Sequence, residues 1–116
     1  MNCEVNAIVL KKGETYNGAI CTYKNNLDAV INITNFKIKI HFKKDKNSDV
    51  IDFLFSTENN TIVFVNATLG TFRLQPRLMN YDVGVYYGDF FIENLGQNID
   101  ISTNEMCFKI ENAITQ

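Results

Sequence analysis

Residues 36–43 read Phe36-Lys37-Ile38-Lys39-Ile40-His41-Phe42-Lys43, apolar and polar in strict alternation. A period of two sends the four apolar side chains to one face and the four polar ones to the other, which is the signature of a β-strand with one dry and one wet side. Such a strand cannot bury its dry face alone, so the chain must supply a second layer. The next residues continue the rhythm. A polar turn over 44–49 leads into 50–56, where Ile51, Phe53 and Phe55 share a face, Glu58-Asn59-Asn60 forms a tight hairpin turn, and 61–65 return.

The remaining segments follow the same grammar. Two strands are predicted over residues 4–10 and 17–23, separated by Lys11-Lys12-Gly13-Glu14. Leu69-Gly70 turns the chain into a short strand with Phe72 and Leu74 on one side, and 83–93 is a long β-rich run. After a turn over 94–98 containing Gly96, residues 98–113 hold two short strands or one broken strand. Residues 75–81 are the one place with room for a helix, of two turns at most. The expectation is an all-β fold of about 7–9 short, mainly antiparallel strands, a sandwich or barrel. The 116 residues fit a single domain spanning 1–116, with nine Phe and five Tyr to fill its interior.

Composition narrows the function. Apolar residues make up 46% of the chain and charged residues 21%, a globular balance, and a net charge of −2 is too small to steer a polyanion, so nucleic acid is not an expected partner. No apolar run approaches a membrane span and no leader pattern opens the chain, so no membrane is expected either. The three cysteines, Cys3, Cys21 and Cys107, are odd in number and lack C-x-x-C spacing. They read as free, buried thiols in a chain that folds in a reducing cytoplasm. The sequons at Asn32, Asn59 and Asn66 carry little in a chain where about one residue in seven is Asn.

Four features invite a chemical reading, and each has a plainer one. His41, the only histidine, stands among Lys37, Lys39 and Lys43 with no carboxylate or nucleophile at informative spacing, so it reads as a solvated strand residue. Asp45, Asn47 and Asp49 open like a calcium loop, but Val50 stands where the glycine belongs and Ser56 where the bidentate glutamate belongs, leaving a polar turn. The lysines at 37, 39, 43, 44 and 46 have no aromatic residues interleaved on their own face, and serve to keep a strand from stray pairing. Tyr81, Tyr86, Tyr87, Phe90 and Phe91 could hold a sugar or peptide, but a sandwich interior needs filling. No catalytic residue, cofactor site or metal site is expected, and the chain is not read as an enzyme.

The most specific pattern is Leu78, Asp82, Gly84 and Tyr86, spaced L-x-x-x-D-x-G-x-Y. It resembles the corner at which immunoglobulin-like sandwiches pass from one sheet to the other, where Gly84 permits the bend and the Tyr86 hydroxyl satisfies a backbone group while its ring enters the core. In that resemblance Cys21 stands at one end of the inter-sheet disulfide, but Gly88 occupies the other, so that bridge cannot form; Phe36 lies roughly where the core tryptophan would be. The chain as a whole resembles the immunoglobulin-like amino-terminal domain of phage baseplate upper proteins, through Leu10-Lys11-Lys12-Gly13-Glu14-Thr15, Leu27-Asp28, Ile31-Asn32-Ile33-Thr34-Asn35, Gly70-Thr71-Phe72-Arg73-Leu74, Gly84-Val85-Tyr86, Asp89-Phe90-Phe91-Ile92, Leu95-Gly96-Gln97, Phe108-Lys109-Ile110 and Ile114-Thr115. It departs from that family at Gly88 and at Asn104-Glu105-Met106-Cys107, where a glycine usually precedes the last strand.

The resemblance implies an immunoglobulin-like β-sandwich and a virion structural protein of a phage or prophage, a small attachment or assembly module of tail, baseplate or head surface. Its implied partners are other virion proteins and copies of itself, and its location is the virion, after the host cytoplasm. Two rivals remain open: a module binding host-surface carbohydrate or protein through loops such as 44–49 and 58–60, and a small phage inhibitor of a host protein.

Overall fold

The structure is a computed structural model that describes residues 2–3, 7–45 and 47–113, with backbone alone for residues 2, 3 and 102–105. It is almost entirely β. In chain order the strands are β1 (Asn2–Cys3), β2 (Ile8–Lys11), β3 (Thr15–Tyr16), β4 (Ala19–Thr22), β5 (Lys37–Lys43), β6 (Phe53–Ser56), β7 (Ile62–Asn66), β8 (Thr71–Leu74), β9 (Arg77–Leu78), β10 (Gly84–Asn94) and β11 (Gln97–Glu111). Among the described residues a single 3-10 turn, Ala67–Leu69, closes on Gly70 in the left-handed conformation (φ 71°).

Two main sheets result. One has the order β1-β4-β8-β7, the other β2-β11-β10-β5-β6, and β3-β9 form a separate two-stranded ladder. The sheets are curled and mixed: β2 pairs with β11 in parallel, and the other described ladders are antiparallel. The all-β class read from the sequence holds. Side chains from both sheets enter one buried cluster, with Ile38, Ile40, Phe42, Phe55, Phe90 and Phe108 from the larger sheet and Cys21, Ile62, Phe72 and Leu74 from the smaller. Tyr23, at the end of β4, donates its hydroxyl to Asp100 Oδ2 on β11 at 2.9 Å and so ties the sheets together.

The alternation at 36–43 produces β5 as read, with Ile38, Ile40 and Phe42 buried. Elsewhere local chemistry moved the boundaries. β6 starts only at Phe53, leaving Val50 and Ile51 exposed, because the preceding loop spends its polar groups on itself. The Asn47 N–H donates to Asp45 Oδ1, the Val50 N–H to Ser48 Oγ and the Lys44 N–H to Asp52 Oδ2. Residues 75–81 contain no helix. Pro76 cannot donate, and the neighbouring backbone groups are already taken: the Gln75 N–H by Thr61 O, the Met79 N–H by Glu14 O, and Met79 O by the Gly13 N–H. Residues 97–111 are one strand, irregular where the register with β10 shifts between Gly88 and Phe90 and between Ile92 and Glu93. The hairpin between β10 and β11 turns on Leu95 and Gly96, both with positive φ (54° and 81°), the geometry that matches the strand twist. Of the strand read over 4–10, residues 4–6 lie outside the described residues, as do Lys46 and Ile114-Thr115.

Candidate functional site

The corner comes first, because the sequence singles it out. The Tyr86 hydroxyl donates to Asp82 O at 2.6 Å, and the ring is 3% exposed, against Phe53 and Tyr81. Burial, with Asp52 and Asp82 nearby, raises the phenol's pKa above its usual value. Gly84 has φ 154°, which an L side chain rarely adopts, and a Cβ there would meet Lys44 Cε. The Asp82 carboxylate points to solvent and pairs with Lys12 at 3.5 Å, while its carbonyl closes the corner. Leu78 stands apart, 59% exposed on β9, and the fully buried side chain beside it is Met79. So the structure brings Asp82, Gly84 and Tyr86 together and leaves Leu78 outside.

Behind this corner lies an aromatic core that explains Gly88. A Cβ at Gly88 would come within 2.7 Å of the Phe42 ring and 3.0 Å of Met106 O. The missing side chain lets Phe42 lie flat across β10 and stack on Phe53 at 4.9 Å. The ring at the centre is therefore Phe42, and Phe36 is only partly buried at the rim. Arg77 was not singled out in the sequence. Its guanidinium lies over the rings of Phe55, Phe53 and Tyr81 at 5.2, 5.4 and 5.8 Å, and donates to Leu54 O at 2.5 Å and to the Tyr81 hydroxyl at 2.8 Å. This cation pins β9 to β6.

The Tyr/Phe cluster read from the sequence divides by strand parity. Tyr86 and Phe90 point inward, whereas Tyr87 and Phe91 point outward from the five-stranded sheet. This overturns the reading of the lysine stripe. β10 runs antiparallel beside β5 with Glu93 opposite Lys37, Phe91 opposite Lys39, Asp89 opposite His41 and Tyr87 opposite Lys43, so rings and acids do share the lysines' face. Periodicity within one strand could not reveal what the neighbouring strand places there. His41 is half-buried rather than solvated, its ring 4.8 Å from that of Phe91. Burial, then Lys39 and Lys43, lowers its pKa against the smaller pull of Asp89. Lys39 pairs with Glu93 at 3.7 Å, and Lys43 donates to Ser48 O at 2.9 Å. Ile101, opposite Phe91 on β11, extends this face and is 54% exposed.

The cysteines correct a second reading. Cys21, fully buried on β4, is disulfide-bonded, while Cys107 is a free thiol. The residue opposite Cys21 in the β1–β4 register is Cys3. An odd cysteine count suggested free thiols throughout, but pairing depends on register, which spacing does not show. Tyr16 is a further buried group. Its ring meets Phe108 and Phe55 edge-on, its hydroxyl finds no hydrogen-bond partner among the described residues, and burial pushes its pKa up to about 12.

Chemically, this arrangement offers contact surface. Among the described residues no group of three or more His, Cys, Asp or Glu converges as a metal site. Compared with protein-family profiles, curated protein sequences and solved structures, the chain matches none.

Proposed function

We propose that the chain is an immunoglobulin-like β-sandwich serving as a non-enzymatic structural protein of a phage or prophage particle, an attachment or assembly module of tail, baseplate or head surface. The observation that carries the reading is the strand order. An amino-terminal chain that pairs first with β4 in one sheet and then, in parallel, with the last strand of the other supports an immunoglobulin-like topology, as does the Tyr86 to Asp82 corner. The step from fold to virion rests on the resemblance of the sequence elements and is an analogy. The bridge at Cys21 suits a particle that works outside the reducing cytoplasm in which it was made.

The test is co-purification of tagged chain with particles produced from the same genome. Stoichiometric incorporation that survives gradient purification is the expected result. A chain left wholly in the soluble fraction, or one captured on host-surface glycan, would overturn the reading.

A further inference from the structure

We infer that the outward face of the five-stranded sheet packs against the same face of a second copy, across a two-fold axis parallel to the strands and lying over the boundary between β5 and β10. The inference rests on the proposed role as a module that acts by protein contact, and it names the surface.

The argument is one of charge and position. The outward side chains of β5 are all basic in type: Lys37, Lys39, His41 and Lys43. Those of β10 at the same levels are Glu93, Phe91, Asp89 and Tyr87, acid and ring in alternation. A two-fold along the boundary lays each copy's β5 over its partner's β10 without changing level. Lys37 then faces the partner's Glu93, and His41 faces the partner's Asp89. Lys39 and Lys43 face the partner's Phe91 and Tyr87, the rings over which a cation is favoured. Every cation meets an acid or a ring, and no like charges meet. The same rotation brings β6, with half-buried Leu54, over β11, with exposed Ile101.

Size and desolvation are compatible with this arrangement. Seven residues of strand by the four overlapping strands, β11, β10, β5 and β6, make a footprint of about 23 by 19 Å, roughly 900 Å² over both copies, the size of a weak, reversible dimer. Because Lys39 is already paired with Glu93 within one chain, covering the face does not strand that charge.

Light scattering of the wild-type chain up to roughly 100 μM, enough to make a dimer with Kd near 10 μM the main species, should show an average mass rising with concentration to about 1.8 times that of one chain. Phe91→Arg, with its fold checked by circular dichroism, should return it to one chain. The sharper test uses two variants. Lys37→Glu and Glu93→Lys should each be monomeric alone, because acid then faces acid or base faces base. Mixed in equal amounts they should dimerise, because both contacts become complementary between unlike chains. A wild-type monomer at every concentration, a dimer indifferent to Phe91→Arg, or a mixture that stays monomeric would overturn the inference. A chain that enters particles while remaining monomeric removes this interface and leaves the virion reading intact; a dimer that no particle retains does the reverse.

Discussion

Strands β5 and β10 carry two populations of side chains on the same backbone, one on each face. Inward, Ile38, Ile40, Phe42, Tyr86, Phe90 and Ile92 are all buried and fit ring against ring, down to a glycine at 88 that makes room for Phe42. Outward, Lys39, His41, Phe91 and Tyr87 are half-covered by one another, and their charges are met by acids on the adjacent strand. The inner face is held by volume and excluded water. The outer face is held by lateral contacts between neighbouring strands. Aromatic residues are thus shared between a face turned into the core and one turned away from it.

Adjacent phenylalanines offer the largest contrast. Phe90→Ala should lower stability by about 3–5 kcal/mol, as expected for a ring removed from a close-packed core, and a urea unfolding curve should shift accordingly. Phe91→Ala, which removes a half-buried ring and its contact with His41, should cost about 1 kcal/mol at most in the monomer. Equal losses at both positions would erase the distinction between the faces.

A smaller effect is expected at the corner. Tyr86→Phe keeps the ring and removes the donor to Asp82 O, and should cost about 1 kcal/mol in the same assay. No loss would mean that water replaces the hydroxyl and that the ring alone closes the corner.

The smallest effect concerns His41. Its pKa in the folded chain lies below the usual 6.5, so the unfolded chain takes up the proton first. Full stability is therefore present above about 6.5 and declines as pH falls through the lowered value. His41→Gln should remove that part of the decline, seen by comparing unfolding midpoints at neutral and mildly acidic pH. Identical profiles would show that Asp89 offsets the burial.

The strongly periodic parts of this fold were legible in the sequence. β5 could be read almost to the residue because four apolar positions alternate without interruption. The corner residues Asp82, Gly84 and Tyr86 also stood out, since a bend and a buried phenol need those types. What escaped depends on register between distant segments. The ladder at Arg77–Leu78 exists because Thr15–Tyr16 lies opposite, which nothing near residue 77 announces. The rings beside the lysines and the partnership of Cys21 have the same cause. So does Leu78, whose spacing suited the corner although Met79 took the buried place.

The parallel pairing of β2 with β11 has a mechanical consequence. Ile8 lies beside Phe108 and Lys11 beside Glu111, so these strands near the two ends of the chain run in the same direction. Tension applied toward the amino end of β2 and the carboxy end of β11 pulls them along their length, not apart sideways. Their hydrogen bonds must then yield together in shear, whereas a hairpin pulled from its open end unzips one bond at a time.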